Sequence, residues 1–309
     1  MRVLITGGAG FIGANLTARL EADGIDCVVL DDLSTGFAKN LDGTAAEFVE
    51  GSILDDDILD RVLPGVTAVV HLAARPSVPR SLADPLRTHT VNATGTLTLL
   101  EAVRRHDIGQ VIAASSSSVY GATPTLPKAE DLPTRPMSPY AASKLAAESY
   151  VLAHQAAFGL PALVFRFFNV FGPLQAAGHA YAAVVPTFID AALSGTAVQV
   201  HGDGLQSRDF TYVGSVTRVL ADAVTRQVTH TDPVNLAFGS RRTVLDALSG
   251  IETLLGTEVA RTHTDARPGD VRHSEADTTT LTSLFPDIAP TPFEDGLADT
   301  IDWYRRLRE

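Results

Sequence analysis

Up to residue 172 the chain repeats one pattern: a short, continuously apolar run, then a longer stretch in which apolar residues return every third or fourth position. The runs are RVLIT at 2–6, CVVLDD at 27–32, AEFVEGS at 46–52, AVVHLAA at 68–74, QVIAASS at 110–116 and ALVFRFFNV at 162–170. Runs without polar alternation suit strands covered on both faces, and FIGANLTARLEADG and TGTLTLLEAVRRHDIG between them read as crossover helices. The pattern predicts an α/β fold with a doubly wound parallel (Rossmann) sheet, in which ligands bind at the carboxyl ends of the strands. Beyond residue 172 the pattern loosens into irregular segments, the helices VVPTFIDAALSG and TVLDALSGIETLLG, and DPVNLAFG at 232–239, one more strand returning to the sheet. The expected organisation is a nucleotide-binding domain of residues 1–172 plus 205–240. A smaller C-terminal α/β lobe, 173–204 plus 241–309, then closes over the strand ends.

Composition narrows the function classes. Of 309 residues, 45% are hydrophobic and 19% charged, an ordinary globular balance. The net charge of −12 argues against nucleic-acid or anionic-membrane partners, which require basic patches. The one cysteine, Cys27, lies in the apolar run CVVL and reads as core, and no internal disulfide is possible. No apolar segment approaches the ~18 residues of a membrane span, and the amino terminus runs straight into a strand, so a cytoplasmic location is expected. His71 ends a strand and His273 lies in a loop, with no cluster at metal-ligand spacing around either, so no metal is expected.

Candidate chemistry begins at the end of the first strand. TGGAGFIG sets Gly7, Gly10 and Gly13 at a strand-to-helix turn, where glycines allow a tight bend and close backbone approach to a dinucleotide pyrophosphate on the helix N-terminus. Asp31 follows at the end of the second strand, the position of a carboxylate for ribose hydroxyls. Asp32 adds a second negative charge where a 2′-phosphate would lie, which favours NAD over NADP. Further on, SPYAASK puts Tyr140 and Lys144 one turn apart on a helix begun by Pro139, while SSSSVYG ends a predicted strand.

TGGAGFIG, DDLSTG, HLAA, SSSSVYG, SPYAASK and RFFNVFGP occur in this order over nearly the whole chain. In this the chain resembles the extended short-chain dehydrogenase/reductase family and its NAD-dependent nucleotide-sugar epimerases and dehydratases. SVPRSLADP, HAYAAVVP, GDGLQSRDF and GDVRHSEAD narrow the likeness to the bacterial UDP-N-acetylglucosamine 4-epimerases.

The resemblance implies tightly bound NAD, held by Gly7, Gly10, Phe11, Ile12, Gly13, Asp31, Asp32, Ser34, Thr35, Gly36, Ser52, Ile53, Leu72, Ala73, Ala74, Asn92, Tyr140, Lys144 and Phe167. It selects Ser116 as the catalytic hydroxyl beside Tyr140 and Lys144, with Ser115 packing or bonding backbone. Family dehydratases follow that hydroxyl with an Asp-Glu pair; Ser117 and Ser118 stand here, and two neutral hydroxyls cannot readily serve as acid and base. The expected activity is therefore isomerisation of a UDP-sugar at C4. Tyr140 takes the 4-hydroxyl proton, Lys144 and the cofactor's positive charge lower its pKa, and hydride leaves C4 and returns to the opposite face.

On the substrate side, Arg208 and Arg267 would clamp the diphosphate, with Asp270 near the nucleotide ribose and Asn169 and Gln175 reaching sugar or diphosphate oxygens. Ser274 occupies a position whose bulk limits the sugar pocket, and serine leaves room for an N-acetyl group. Ser77, Ser117, Ala183 and Val184 would line the same pocket. Arg75 either reads an acidic sugar or pairs with a carboxylate. Alternatives within the family are a uronate epimerase, a 5,6-dehydratase or a 4-ketoreductase; outside it stands a silent NAD-binding regulator. A homodimer through helices near 90–105 and 139–158 is expected.

Overall fold

The computed structural model describes residues 1–177, 183–265 and 271–308. Strands β1 (Arg2–Thr6), β2 (Asp26–Asp31), β3 (Glu47–Glu50), β4 (Ala68–His71), β5 (Val111–Ser116) and β6 (Ala162–Phe167) fall on the six apolar runs. With a later strand, Val234–Leu236, they form one seven-stranded sheet, all parallel, in the order Val234–Leu236, β6, β5, β4, β1, β2, β3. The order reverses between β1 and β4, which opens a crevice at their carboxyl ends.

Strand alternation sorts the side chains into two cores. Val3, Ile5, Ile112, Leu163 and Phe165 pack against Leu16 and Leu20 of helix Phe11–Ala22 and Val216, Val219 and Leu220 of helix Val213–Thr225. Leu4, Val111, Ala113 and Val164 face the other way, onto Leu59 of helix Asp56–Val62, Leu99 and Val103 of helix Gly95–Arg105, and Val151 of helix Pro139–Phe158. Burial on both faces is why β1, β2, β4, β5 and β6 carry no polar alternation, whereas edge strand β3 keeps its two glutamates exposed. Each such Leu, Ile or Phe contributes about 1.5–3 kcal/mol, which makes the sheet a rigid base for the site.

The segment ALVFRFFNV, expected as one strand, is divided. It leaves the main sheet after Phe167 and continues as β7 (Asn169–Phe171) in a second sheet, paired with β9 (Ser207–Tyr212), whose other neighbour is β11 (Arg241–Thr243); β8 (Val198–His201), β10 (Val234–Leu236) and β12 (Arg261–Thr264) complete the numbering. The break falls at Phe168, which is buried in a separate cluster with Tyr120, Ala237 and Ala276. A third core lies under the second sheet, built from Phe171, Phe188, Phe210, Leu248, Ile251, Phe293 and Leu297. The expected boundaries are therefore crossed in both directions. β7 belongs to the smaller sheet although it lies within 1–172, and Leu281 and Phe285 pack into the core of the large sheet although they lie within 241–309.

Among the described residues no helix is long and apolar enough to cross a membrane. Phe188 is 1% exposed at the centre of the third core. Phe188→Ala is expected to lower unfolding free energy by about 3–5 kcal/mol, measured by urea denaturation, because the truncation leaves a cavity in a buried core.

Candidate active site

The strand ends surround one large cavity of about 670 Å³. At its floor Gly7, at φ +72°, turns the chain out of β1, and its amide donates to the Leu30 carbonyl at 2.7 Å. Gly10 caps helix Phe11–Ala22 without a side-chain hydrogen bond, so the first-turn amides stay open to an anion. A Cβ on Gly13 would lie 2.5 Å from Gly8 Cα and against the Gly7 carbonyl oxygen, so the helix can press onto the loop only with glycine there. Gly7, Gly10, Phe11, Ile12 and Gly13 all line the cavity. Asp31 accepts from the Ala9 amide at 3.0 Å and the Leu33 amide at 2.9 Å; burial nevertheless raises its carboxyl above the ordinary range. Beside it Asp32 accepts from both the amide and the hydroxyl of Ser34, at 3.0 and 2.5 Å. Asp31, Asp32, Ser34, Thr35, Ser52 and Ile53 form one end of the cavity wall, and Leu72, Ala73, Ala74 and Phe167 continue it toward the reacting groups.

Those groups meet where β5 ends. Ser138 caps helix Pro139–Phe158 by accepting from the Ala141 amide at 3.1 Å, and Pro139 starts it. Tyr140 thus stands in the first turn and Lys144 one turn on, both facing the cavity. Ser116 stands beside the Tyr140 phenol, which burial raises and the Ser116 hydroxyl lowers. Ser116 Oγ itself accepts from the amide and hydroxyl of Ser118 at 3.2 and 2.9 Å. Lys144 is 5% exposed; burial lowers its pKa to about 8, while the Glu148 carboxylate opposes that shift. Ser115 does not bond backbone, as expected from the sequence, but donates to Glu148 Oε2 at 2.6 Å.

Ser77, at φ +95°, also lines the cavity and holds helix Val78–Ala83 by accepting from the Arg80 amide at 3.4 Å. A serine held there is strained, a cost that structures tolerate mainly around functional sites. Ser117, Asn169, Gln175 and Ala183 complete the expected lining. Gln175 Oε1 is buried and lacks a hydrogen-bond partner.

Several expected residues stand elsewhere. Asn92, 1% exposed, is turned away from the cavity: it accepts from the Arg75 amide at 2.7 Å and donates to the Arg75 carbonyl at 3.3 Å and Ser143 Oγ at 2.9 Å. Gly36 packs behind the loop against Ala9. Val184 packs into the third core. Arg208 donates to the Ser207 and Arg272 carbonyls, the Ser274 amide donates to the Ser207 carbonyl, and neither residue is among the described ones that line the cavity. Arg267 and Asp270 lie outside the described residues. Of the two roles open to Arg75, carboxylate pairing is the one observed, with Asp84 at 2.9 Å.

Other lining residues escaped sequence reasoning. Asn40 donates to the Ala9 carbonyl at 2.9 Å, and Arg80, Val91, Phe168, Leu174 and Ala176 also reach the cavity. Only Arg80 left a signal, a cation three residues after Ser77 in SVPRS. His71 is structural and neutral, its pKa pushed to about 3 chiefly by burial. Thr96 donates to the Asn92 carbonyl, so His71 Nε2 donates to Thr96 at 2.8 Å and Nδ1 accepts from Thr6 at 2.7 Å. Among the described residues no group of acidic, His and Cys side chains is arranged to hold a metal ion.

Residues 3–237 match the NAD dependent epimerase/dehydratase family. A UDP-glucose 4-epimerase of Mycolicibacterium smegmatis is 36% identical over 314 residues, covering 99% of each chain. A UDP-N-acetylglucosamine 4-epimerase of Methanobrevibacter ruminantium M1, solved with UDP-N-acetylmuramic acid, superposes with a TM-score of 0.93 at 35% identity over 99% of this chain and 98% of that one. TunA, an NAD-dependent NDP-hexosamine 5,6-dehydratase of tunicamycin biosynthesis, gives 0.89 at 36% identity over 99% and 98%.

The cavity suits a dinucleotide: a glycine cradle at an uncapped helix terminus, a ribose-distance carboxylate and a long apolar wall. Gly13→Ala should cut the NAD retained per purified chain by about tenfold or more, measured by releasing and quantifying the nucleotide. Lys144 gives a pH signature with a definite sign. Its pKa is 10.5 unfolded and about 8 folded, so between these values the unfolded chain binds more protons and folding gains stability as pH rises. The stability of Lys144→Met relative to wild type should therefore be greatest near neutral pH and fall from about 8 toward 10, as read by denaturation at each pH.

Proposed function

Because the chain belongs to the NAD dependent epimerase/dehydratase family, we propose that it is an isomerase inverting C4 of a UDP-sugar, with UDP-GlcNAc and UDP-GalNAc as the favoured pair and UDP-Glc and UDP-Gal also admitted. The observation that carries this reading is the meeting of Ser116, Tyr140 and buried Lys144 in the same cavity as the glycine cradle. NAD bound there supplies an acceptor, and then a donor, for the C4 hydride. Gly7, Gly10, Phe11, Ile12 and Gly13 would hold its diphosphate, Asp31 its ribose hydroxyls, and Leu72, Ala73, Ala74 and Phe167 its nicotinamide end.

The chain's own groups manage the proton. Tyr140 takes it from the sugar 4-hydroxyl and later returns it, while Ser116 holds the 4-oxygen in line. Lys144, charged below about pH 8, supports the phenolate that burial alone would suppress. The sequence assigns the lowering of the phenol to Lys144 and the cofactor; the nearby Ser116 hydroxyl is a further cause. A 4-keto sugar that turns about its diphosphate presents its other face, so no net oxidation occurs.

Ser117 and Ser118 in place of an acid–base pair speak against loss of water, more so because Ser118 already directs its hydroxyl to Ser116. The likeness to a 5,6-dehydratase is the observation favouring that second reading. Room for an N-acetyl group is supported by Ser77, Ala176 and Ala183 in the wall, beside the small side chain expected at Ser274. Two exposed aromatics, Tyr150 and Phe158 on helix Pro139–Phe158, support a homodimer through that helix and Gly95–Arg105.

Incubation of the purified protein, without added cofactor, with UDP-GlcNAc, UDP-Glc and UDP-GlcA in turn tests this by proton NMR. UDP-GalNAc at constant total sugar is expected; turnover of UDP-Glc or UDP-GlcA alone rejects the roomy pocket, and an olefinic sugar or no product rejects epimerisation. Tyr140→Phe should lower kcat about 10²–10⁴-fold with NAD content unchanged.

A further inference from the structure

The run of four serines assigns a second task to Ser115. β5 and β6 are parallel neighbours, with Ser115 opposite Arg166 and Ser116 opposite Phe167. Side chains alternate along a strand, so Ser115 and Arg166 share the face covered by helix Pro139–Phe158, the face that also receives Val111, Ala113 and Val164. On that helix Tyr140, Lys144 and Glu148 recur at four-residue spacing, one above another. Glu148 is 4% exposed. Its Oε2 accepts from Ser115 Oγ at 2.6 Å and Arg166 Nε at 3.0 Å, and its Oε1 from Arg166 Nη2 at 2.7 Å. Arg166 in turn donates through Nη1 to the Glu130 carbonyl at 3.0 Å and stacks 4.8 Å from the Tyr120 ring centroid.

A buried ion pair is often no more stabilising than apolar residues of the same volume. What this one adds is direction: the two-pronged arginine fixes the carboxylate, and the carboxylate fixes a hydroxyl on the strand residue next to Ser116. Apolar contacts between β5 and the helix leave small sliding motions free, and an error of about 1 Å between reacting groups can cost about 10²-fold in rate. We propose that Ser115, Glu148 and Arg166 form a clasp that holds the Ser116 strand end against the Tyr140 helix, making Ser115 and Glu148 positioning residues that keep Ser116 beside Tyr140. The proposal rests on the reading of Ser116 and Tyr140 as the reacting pair.

Ser115→Ala in the NAD-loaded protein is the test, since it removes one hydroxyl and leaves the Glu148–Arg166 fork in place. Tyr140 is titrated by ultraviolet difference spectroscopy, each variant being compared with the same protein carrying Tyr140→Phe. With the clasp loosened, Ser116 acts less on the phenol and the Tyr140 titration should move up by about half a pH unit or more. NAD content and melting temperature stay at wild-type values, and Ser115→Thr, which keeps the hydroxyl, restores the titration. A Ser115→Ala protein that titrates as wild type overturns the proposal, and so does one that loses NAD or melts early, since the effect would then be structural. Absence of turnover on every UDP-sugar would reject the reaction proposed above; the titration needs no turnover and still decides the clasp.

Discussion

A lysine charge buried at the carboxyl end of a parallel sheet is the constraint on which this structure turns. Burial drives Lys144 toward neutrality, lowering its pKa to about 8, and the Glu148 carboxylate, one turn along the same helix, opposes that shift. That carboxylate is itself buried and needs donors, which β5 and β6 supply through Ser115 and Arg166. The arrangement therefore requires β5 beside β6, in a register that sets Ser115 opposite Arg166, with helix Pro139–Phe158 across both. Topology and electrostatics meet at this point.

The remainder of the site follows from the crevice between β1 and β4. Close approach of the glycine turn to the end of β4 brings Ala73 against Gly7. The neutral His71, bonded to Thr6 on one side and Thr96 on the other, ties these strand ends to the helix behind them. Asn92 extends the same network to the Arg75 backbone and to Ser143, which donates to the Tyr140 carbonyl at 2.8 Å. The wall of the cavity and the helix carrying the reacting phenol are thus linked by hydrogen bonds that never enter the cavity.

The sequence made some of this legible and hid the rest for physical reasons. Continuous apolar runs located the six strands before residue 168, because burial on both faces leaves a strong one-dimensional trace. The glycine turn, Asp31, Ser116, Tyr140 and Lys144 were legible from spacing and resemblance, and the structure brings them to one cavity. The division of ALVFRFFNV was not, since Phe168 is as apolar as its neighbours and only its separate cluster with Tyr120 shows that the chain turns there. Asn92 carries the right chemistry for a ligand, yet the Arg75 backbone and the Ser143 hydroxyl take up its hydrogen bonds. Ser115 was misread because its partner, Glu148, lies 33 positions away along the chain.

The central claim is that hydride leaves and returns to the same carbon within one closed site, with Tyr140 moving only the proton. Epimerisation of UDP-GlcNAc carrying deuterium at C4, followed by mass spectrometry and NMR of the product, tests it directly. The account predicts UDP-GalNAc that keeps its deuterium at C4 in ordinary water. Replacement of that deuterium by solvent hydrogen would contradict it, because the carbon would then have been deprotonated, not oxidised and reduced.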